Sequence, residues 1–155
     1  AVMTLILSEY ANEKIDLLKT ISMILIHNIV EIDAGDTYAY DEERKKTQKS
    51  RELAAADRIF TMLPEDQQQK FRQLWEEFES AETPEAKFAR AMDNVQPIML
   101  NSATDGKSWE ERGIRLSQIL KRNQITPEGA EKLWDYMQEH FIKPNVENGK
   151  IIKDI

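Results

Sequence analysis

The sequence predicts an all-α protein, a single-domain helical bundle of about seven helices. Three observations predict it. Apolar residues recur at spacings of three and four along most of the chain, and no run alternates apolar with polar as a strand would. The cap–proline–acid signal that opens a helix occurs at Thr83-Pro84-Glu85 and again at Thr126-Pro127-Glu128. The length of 155 residues is that of one domain, and no repeat or low-complexity linker divides it.

The opening AVMTLILSEYANE places Val2, Leu5, Ile6 and Tyr10 at helical spacing. It lacks an initiator Met, an N-cap and the basic region of a signal peptide. It reads as a helix entered midway, and the natural chain is expected to continue upstream. Residues 16–33 are apolar nearly all round, which predicts a central, buried helix. Gly35 ends it where a left-handed cap belongs. Residues 36–46 are polar and aperiodic, and are expected as a surface loop. From 47 to 62, Leu53, Ala54, Ala56, Ile59 and Phe60 form the apolar side of an amphipathic helix. Pro64 suits the first turn of a helix over 64–80 with Phe71, Leu74, Trp75 and Phe78 as its core stripe. The first cap–proline–acid signal starts a helix over 84–100. Ser108 with Glu111 reads as a capping box for a helix over 108–121. The second signal starts a last helix that is expected to end before Pro144, and 145–155 is expected as a loosely docked tail. Trp75, Trp109 and Trp134 sit at core spacing.

Composition removes several classes of function. The chain is 41 % hydrophobic and 32 % charged, a globular balance. Twenty-one Lys and Arg against 28 Asp and Glu leave −7, which disfavours nucleic-acid polymers and anionic membrane surfaces. The chain has no Cys, so disulfides, thiolate zinc sites and a cysteine nucleophile are excluded. Five Gly make no phosphate-cradling loop, and no apolar run reaches the ~18 residues of a membrane span. With no targeting signal in view, the expected location is the cytoplasm.

Chemistry gathers around His27. Asn28 lies on the line of Leu17, Leu18, Ile21 and Leu25 and is expected to point inward. Glu31 is one turn from His27, and Asp33 and Asp36 follow around Gly35. An imidazole, an amide oxygen and carboxylates in one place suit a cation; equally, a core histidine bonded to a backbone carbonyl with solvated acids beyond it has this spacing. Asp93 adjoins the apolar face of the 84–100 helix, and either pairs with Arg90 or reaches a metal held by His27. His140 reads as a helix-end surface residue, and Asp41, Glu42 and Glu43 as a solvated face.

The elements LIHNIVEIDAGDTYAYD, LPEDQQQKFRQLWEEFE and TPEAKFARAMDNVQP resemble the HD superfamily of metal-dependent phosphohydrolases, in its 5′-deoxynucleotidase-like branch. The resemblance runs from Ile24 to Asp93 with a compatible helical tail. It implies that His27, Asn28 and Asp93 hold a divalent metal ion (Mn, Co, Mg, Zn or Ni), with Asn28 at the position of the family's Asp. It implies catalytic roles for Glu31 and Asp36 near the reacting phosphate and the sugar, and places Glu79 near the substrate entrance. The first family His and an upstream Arg-Trp pair are not present. A homodimer is the implied assembly, with helices 1–10 and 113–120 as candidate faces.

The implied activity is hydrolysis of a deoxynucleoside 5′-monophosphate by a metal-activated water, with Glu31 orienting or deprotonating that water and Asp36 serving the sugar or the leaving group. Asn28 keeps the shape of Asp without its charge, so metal binding and activity are expected to be weakened. The alternative is a catalytically impaired domain of this family that binds or scaffolds.

Overall fold

The computed structural model describes residues 1–155, the side chain of Glu42 apart. The chain opens with α1 (Val2–Leu7) and a 3₁₀ turn, Ser8–Tyr10. The Asp16 carboxylate then accepts from the Lys19 N–H and opens α2 (Leu17–Ala34), which Gly35 closes at φ 74°. Asp41 caps α3 (Glu42–Phe60) in the same way, five residues before the expected start, because its carboxylate accepts from the Arg44 N–H. Pro64 precedes α4 (Glu65–Ser80), and Thr83 caps α5 (Pro84–Ala103) as its signal predicts.

The predicted 108–121 helix is two short ones, α6 (Lys107–Glu111) and α7 (Leu116–Arg122). Gly113 at φ 59° breaks the run, and the start of α7 is held by the Arg115 N–H donating to the Gln118 amide oxygen at 2.9 Å, not by a box of Ser108 and Glu111. Next come α8 (Thr126–Met137), a π-helical turn over Gln138–Ile142, and α9 (Lys143–Glu147). The helical path therefore does not stop before Pro144, which sits in the first turn of α9, where its missing N–H is harmless. Thr126 does not cap α8. Its hydroxyl turns inward to the Asn123 amide oxygen at 3.2 Å and accepts from the Asn94 amide, also at 3.2 Å.

The fold is all-α, and α5 is its central helix. Phe88, Ala89 and Met92 pack with Met23, Ile24 and Phe78 on one side. Val95 and Ile98 pack with Trp109, Ile119 and Trp134 on the other. A third cluster joins Val30 and Ala34 of α2 to Ala56, Phe60 and Trp75. The expectation that 16–33 is the buried centre is thus corrected. On α2, Met23, Ile24, His27, Val30 and Ala34 face the core, while Leu18, Leu25, Ile29 and Ile32 are 76, 51, 40 and 76 % exposed. An all-round apolar helix does not say which helices will cover it.

The 145–155 stretch is also more tightly held than its polarity suggests. Ile151 is buried, the Leu116 N–H donates to the Ile152 carbonyl at 2.9 Å, and Asp154 accepts from the Ser117 hydroxyl at 2.5 Å. Unsatisfied groups at the start of α7 are what dock it. Among the described residues, no helix is long and apolar enough to cross a membrane.

Candidate functional site

The site is assembled by α2, α4 and α5. His27 is buried on α2, its ring stacked on Phe78 of α4 with centroids 4.2 Å apart. Arg90 of α5 lies over that same Phe78 ring at 5.1 Å. Glu31, one turn on from His27, brings Oε1 to 3.5 Å from its Nε2. Glu79 of α4 brings Oε1 to 3.2 Å from its Nδ1. That last contact is one of charges only: His27 Nδ1 and Glu79 Oε1 are both buried without a hydrogen bond. Buried polar atoms left without a hydrogen bond are costly, roughly 1–3 kcal/mol each, so both have capacity for a further polar partner.

The electrostatics follow from that crowding. Burial pulls the His27 imidazole down, but contact with Glu79 and the charges of Asp93 and Glu31 overcome it and hold the pKa above the ordinary value. Burial raises Glu31; His27 opposes this, while Asp36, Asp93 and Glu52 reinforce it. Burial also pushes Glu79 up, but His27 and Arg90 prevail and keep it ionised below the usual range. One helix thus holds a carboxyl readier to accept a proton than a surface one, and a neighbouring helix holds a firmly anionic one.

The sequence-predicted residues fall into two groups. His27, Glu31 and Asp93 come together, with Asp93 on α5 acting on the ring from across the bundle. Asp36 lies beyond Gly35, exposed, where it lines a small cavity of about 180 Å³ with Tyr38, Asn94 and Arg122. Asn28 does not point inward. It is exposed, and its amide donates to the Ile24 carbonyl at 2.7 Å, because the core face of α2 is the His27 line and not the Leu18–Leu25 line. It still shares a hollow of about 420 Å³ with Asp93 and Gln96. Asp93 pairs with Arg122 at 4.0 Å, and Arg90 pairs with Glu79 at 3.9 Å. His140 is exposed and packs on Tyr136, with centroids 4.1 Å apart and the rings tilted by 37°.

Among the described residues, no group of three or more His, Cys, Asp or Glu is spaced to hold a metal ion by itself. The donors foreseen for one are an imidazole, a carboxylate and an amide oxygen, and carboxylates outnumber nearby cations, a balance that a divalent ion suits. Pro97 adds a backbone feature, since it has no N–H to donate to the carbonyl of Asp93 four residues earlier. Arg90, expected as a partner for Asp93, pairs with Glu79 instead, and Arg122 was not foreseen as a member of the site. Nothing in the local pattern of α7 points at α5, and only the packing joins them.

The chain is similar to known proteins over most of its length. The family model described as HD domain matches residues 1–134. The 5′-deoxynucleotidase HDDC2 of Mus musculus is 31 % identical over 101 residues, 65 % of this chain and 50 % of that protein. Its Homo sapiens counterpart is 29 % identical over 119 residues, 77 % of this chain and 56 % of that protein. The chain thus spans about half the length of the curated relatives it matches. A crystal structure of a predicted metal-dependent phosphohydrolase from Magnetospirillum magnetotacticum superposes with TM-score 0.90 at 37 % identity, covering 97 % of this chain and 74 % of that one.

Proposed function

The chain belongs to the HD-domain family, and from that premise we propose that it is a divalent-metal-dependent phosphohydrolase acting on nucleotides, deoxynucleoside 5′-monophosphates above all. The observation that carries this reading is the gathering of His27, Glu31, Glu79 and Asp93 from three helices, with Glu31 and Glu79 flanking the two ring nitrogens and the charge of Asp93 acting on the same imidazole. The names of the relatives support the substrate class.

His27 and Asp93 would hold the ion, with the amide oxygen of Asn28 as a third, uncharged donor. When bound, such an ion supplies an acidified water and polarises a phosphate oxygen. Glu31 has its proton affinity raised by burial and stands beside His27, so it is the group that takes a proton from the attacking water. Phe78 holds the plane of the ring, and Glu79, anionic and 3.2 Å from Nδ1, favours its protonated form. Asp36 lines the adjoining cavity, where a sugar hydroxyl would meet it.

A specific observation favours a second reading. Asn28 is neutral and turned to its own helix, so an impaired domain that binds without turnover also fits. Phosphate release from a panel of nucleoside monophosphates with Mn²⁺, Co²⁺ or Mg²⁺ decides, run beside Asn28→Asp and His27→Ala. Turnover abolished by His27→Ala supports the hydrolase. Silence in wild type and in Asn28→Asp, with nucleotide still bound, establishes the binding module.

For the assembly, we propose a homodimer through α2. About Leu25 the outward face reads the same in both directions: Leu18 and Ile32 at seven residues, Ile21 and Ile29 at four, Ser22 and Asn28 at three. An antiparallel pair about a two-fold at Leu25 therefore matches apolar to apolar. Ser22 and Asn28 donate to their own helix, and Lys19 and Asp33 pair with Glu77 and Arg58, so the charges bordering the face are paired. Together with Val2, Leu5 and Ile6 of α1, which are also exposed, it offers on the order of 800 Å², one partner's share of a standard interface. Sedimentation at micromolar concentration should show a dimer that Leu25→Glu converts to a folded monomer. A monomeric wild type refutes the pairing.

A further inference from the structure

The cavity that Asp36 shares with Asn94 holds about 180 Å³. That is below the ~300–1,000 Å³ of a pocket for a whole drug-sized ligand and above the ~150 Å³ that takes one six-membered ring. Pro97, Ile98 and Trp109 give it apolar walls. Its other side is the loop over residues 36–40. There the Arg112 guanidinium lies 4.1 Å from the centre of the Tyr38 ring, and Tyr38 meets Tyr40 edge-on at 5.5 Å, so the loop is pinned.

The polar part of the cavity is set by a buried relay. Asn123 donates its amide nitrogen to the Ile119 carbonyl at 2.9 Å, which leaves its oxygen for Thr126. The Thr126 hydroxyl gives its single hydrogen to that oxygen at 3.2 Å. With none left to give, it accepts from the Asn94 amide nitrogen, also at 3.2 Å. Asn123, Thr126 and Asn94 are 1, 0 and 6 % exposed, so bulk water does not take over these bonds. The Asn94 amide is thereby locked with its nitrogen toward α8, and no bond of the relay reaches its oxygen. Asn94 lines the cavity, and the amide end it has to offer a ligand is this oxygen. Asn101, two turns along α5, spends its nitrogen on the Pro97 carbonyl at 2.8 Å and likewise keeps an oxygen for the same cavity.

We propose that this cavity receives the base of the nucleotide, and that Asn94 makes it select cytosine, a single ring with an exocyclic amine, over uracil and thymine. In a pyrimidine nucleotide, position 4 lies across the ring from the nitrogen that carries the sugar. With the sugar at exposed Asp36, position 4 enters first and meets the buried Asn94. There cytosine has an N–H to donate. Uracil and thymine have a carbonyl oxygen, which would face the Asn94 oxygen with no hydrogen between them. Thr126 touches no ligand; it is a positioning residue that keeps the amide from turning over. The identity of the ring as a nucleotide base rests on the hydrolase reading, whereas the size of the hollow and the sense of its acceptor do not.

Nucleosides test this on the full chain with no phosphate, metal or turnover involved. Deoxycytidine, deoxyuridine and 2-deoxyribose are titrated into the protein by ligand-observed NMR. Wild type should bind deoxycytidine about tenfold more tightly than deoxyuridine, the worth of one hydrogen bond to a fixed acceptor. Thr126→Val keeps the shape and loses the hydroxyl, so the ratio should fall below about threefold, while Thr126→Ser should retain it. Asn101→Trp, at a half-buried position outside the relay, fills the hollow and should abolish binding of both nucleosides. That variant decides even where Thr126→Val folds poorly, which urea unfolding checks. Equal binding of the two nucleosides by wild type overturns the selectivity. Deoxycytidine bound no better than 2-deoxyribose, or unaffected by Asn101→Trp, overturns the cavity as its seat. A ratio that survives in folded Thr126→Val overturns the relay. Should the hydrolase reading fail, metal-supplemented phosphate release is silent while the nucleoside preference stands. Should the base site fail, the preference is absent while phosphate release stands.

Discussion

Gly129→Ala is a perturbation for which two physical effects predict opposite signs. Gly129 lies in α8, where Gly costs about 1 kcal/mol of helix stability relative to Ala, so propensity alone predicts a more stable protein. Packing predicts the reverse. A Cβ there would lie 2.3 Å from the Lys87 carbonyl oxygen, 2.5 Å from its carbon and 2.8 Å from the Phe88 nitrogen, whereas ordinary contact begins at 3.4 Å. These are backbone atoms of α5 and cannot rotate away, so α5 and α8 must part by about 1 Å. Overpacking of this kind costs ~1–3 kcal/mol, and the upper end applies where backbone meets backbone. The separation also strains the clasp in which the Asn12 amide donates to the Pro127 and Glu128 carbonyls at 2.7 and 3.0 Å. Net of propensity, a loss of about 2 kcal/mol is expected, or roughly 4–8 °C in melting temperature for a chain of this size. Arg90 and Asp93 ride on the same helix, so phosphate release should fall as well. Urea unfolding followed by far-ultraviolet circular dichroism measures the first effect. A variant as stable as wild type, or more so, would refute the close-approach argument.

Other expectations are smaller in scope. Tyr40 has a folded-state pKa pushed up to about 12 by burial, against an ordinary value near 10. Its contribution is complete below pH 10 and is lost as pH rises through 12, so unfolding free energy should drop over that window by up to ~3 kcal/mol, and Tyr40→Phe should flatten the drop. Ile151→Ala empties a fully buried position under α6 and α7 and should cost ~2–4 kcal/mol in urea unfolding, which a loose tail would not show. Asn28→Asp loses the bond to the Ile24 carbonyl and should destabilise the metal-free protein by about 1 kcal/mol. The same variant should bind Mn²⁺ at least ~10-fold more tightly by calorimetry.

Much of the fold can be read residue by residue. Asp16, Gly35 and Thr83 act locally, through a carboxylate or hydroxyl three residues from its donor or through one backbone angle, and such contacts need only neighbouring sequence; Asp41 acts in the same way, but its polar surroundings read as a loop. Reading failed where a signal had a competitor. Thr126 looks like a cap, but its hydroxyl finds buried amides on α5 and before α8, and Ser108 loses to the break at Gly113. The candidate site shows the same division. His27 and Glu31 lie one turn apart on α2, and their spacing alone joins them. Asn28 was misplaced because both faces of α2 are apolar, and periodicity cannot rank two apolar faces.

Helix formation, the class of the fold and the family were written in the order of residues, since hydrogen bonds of a helix close within four positions and a motif is a local string. The meeting of His27 with Glu79 and Asp93, and of Arg90 and Arg122 at one cavity wall, was written nowhere along the chain. Those contacts join residues tens of positions apart. They arise only when α2, α4, α5 and α7 are laid side by side, because which faces touch is settled by the packing of all of them at once.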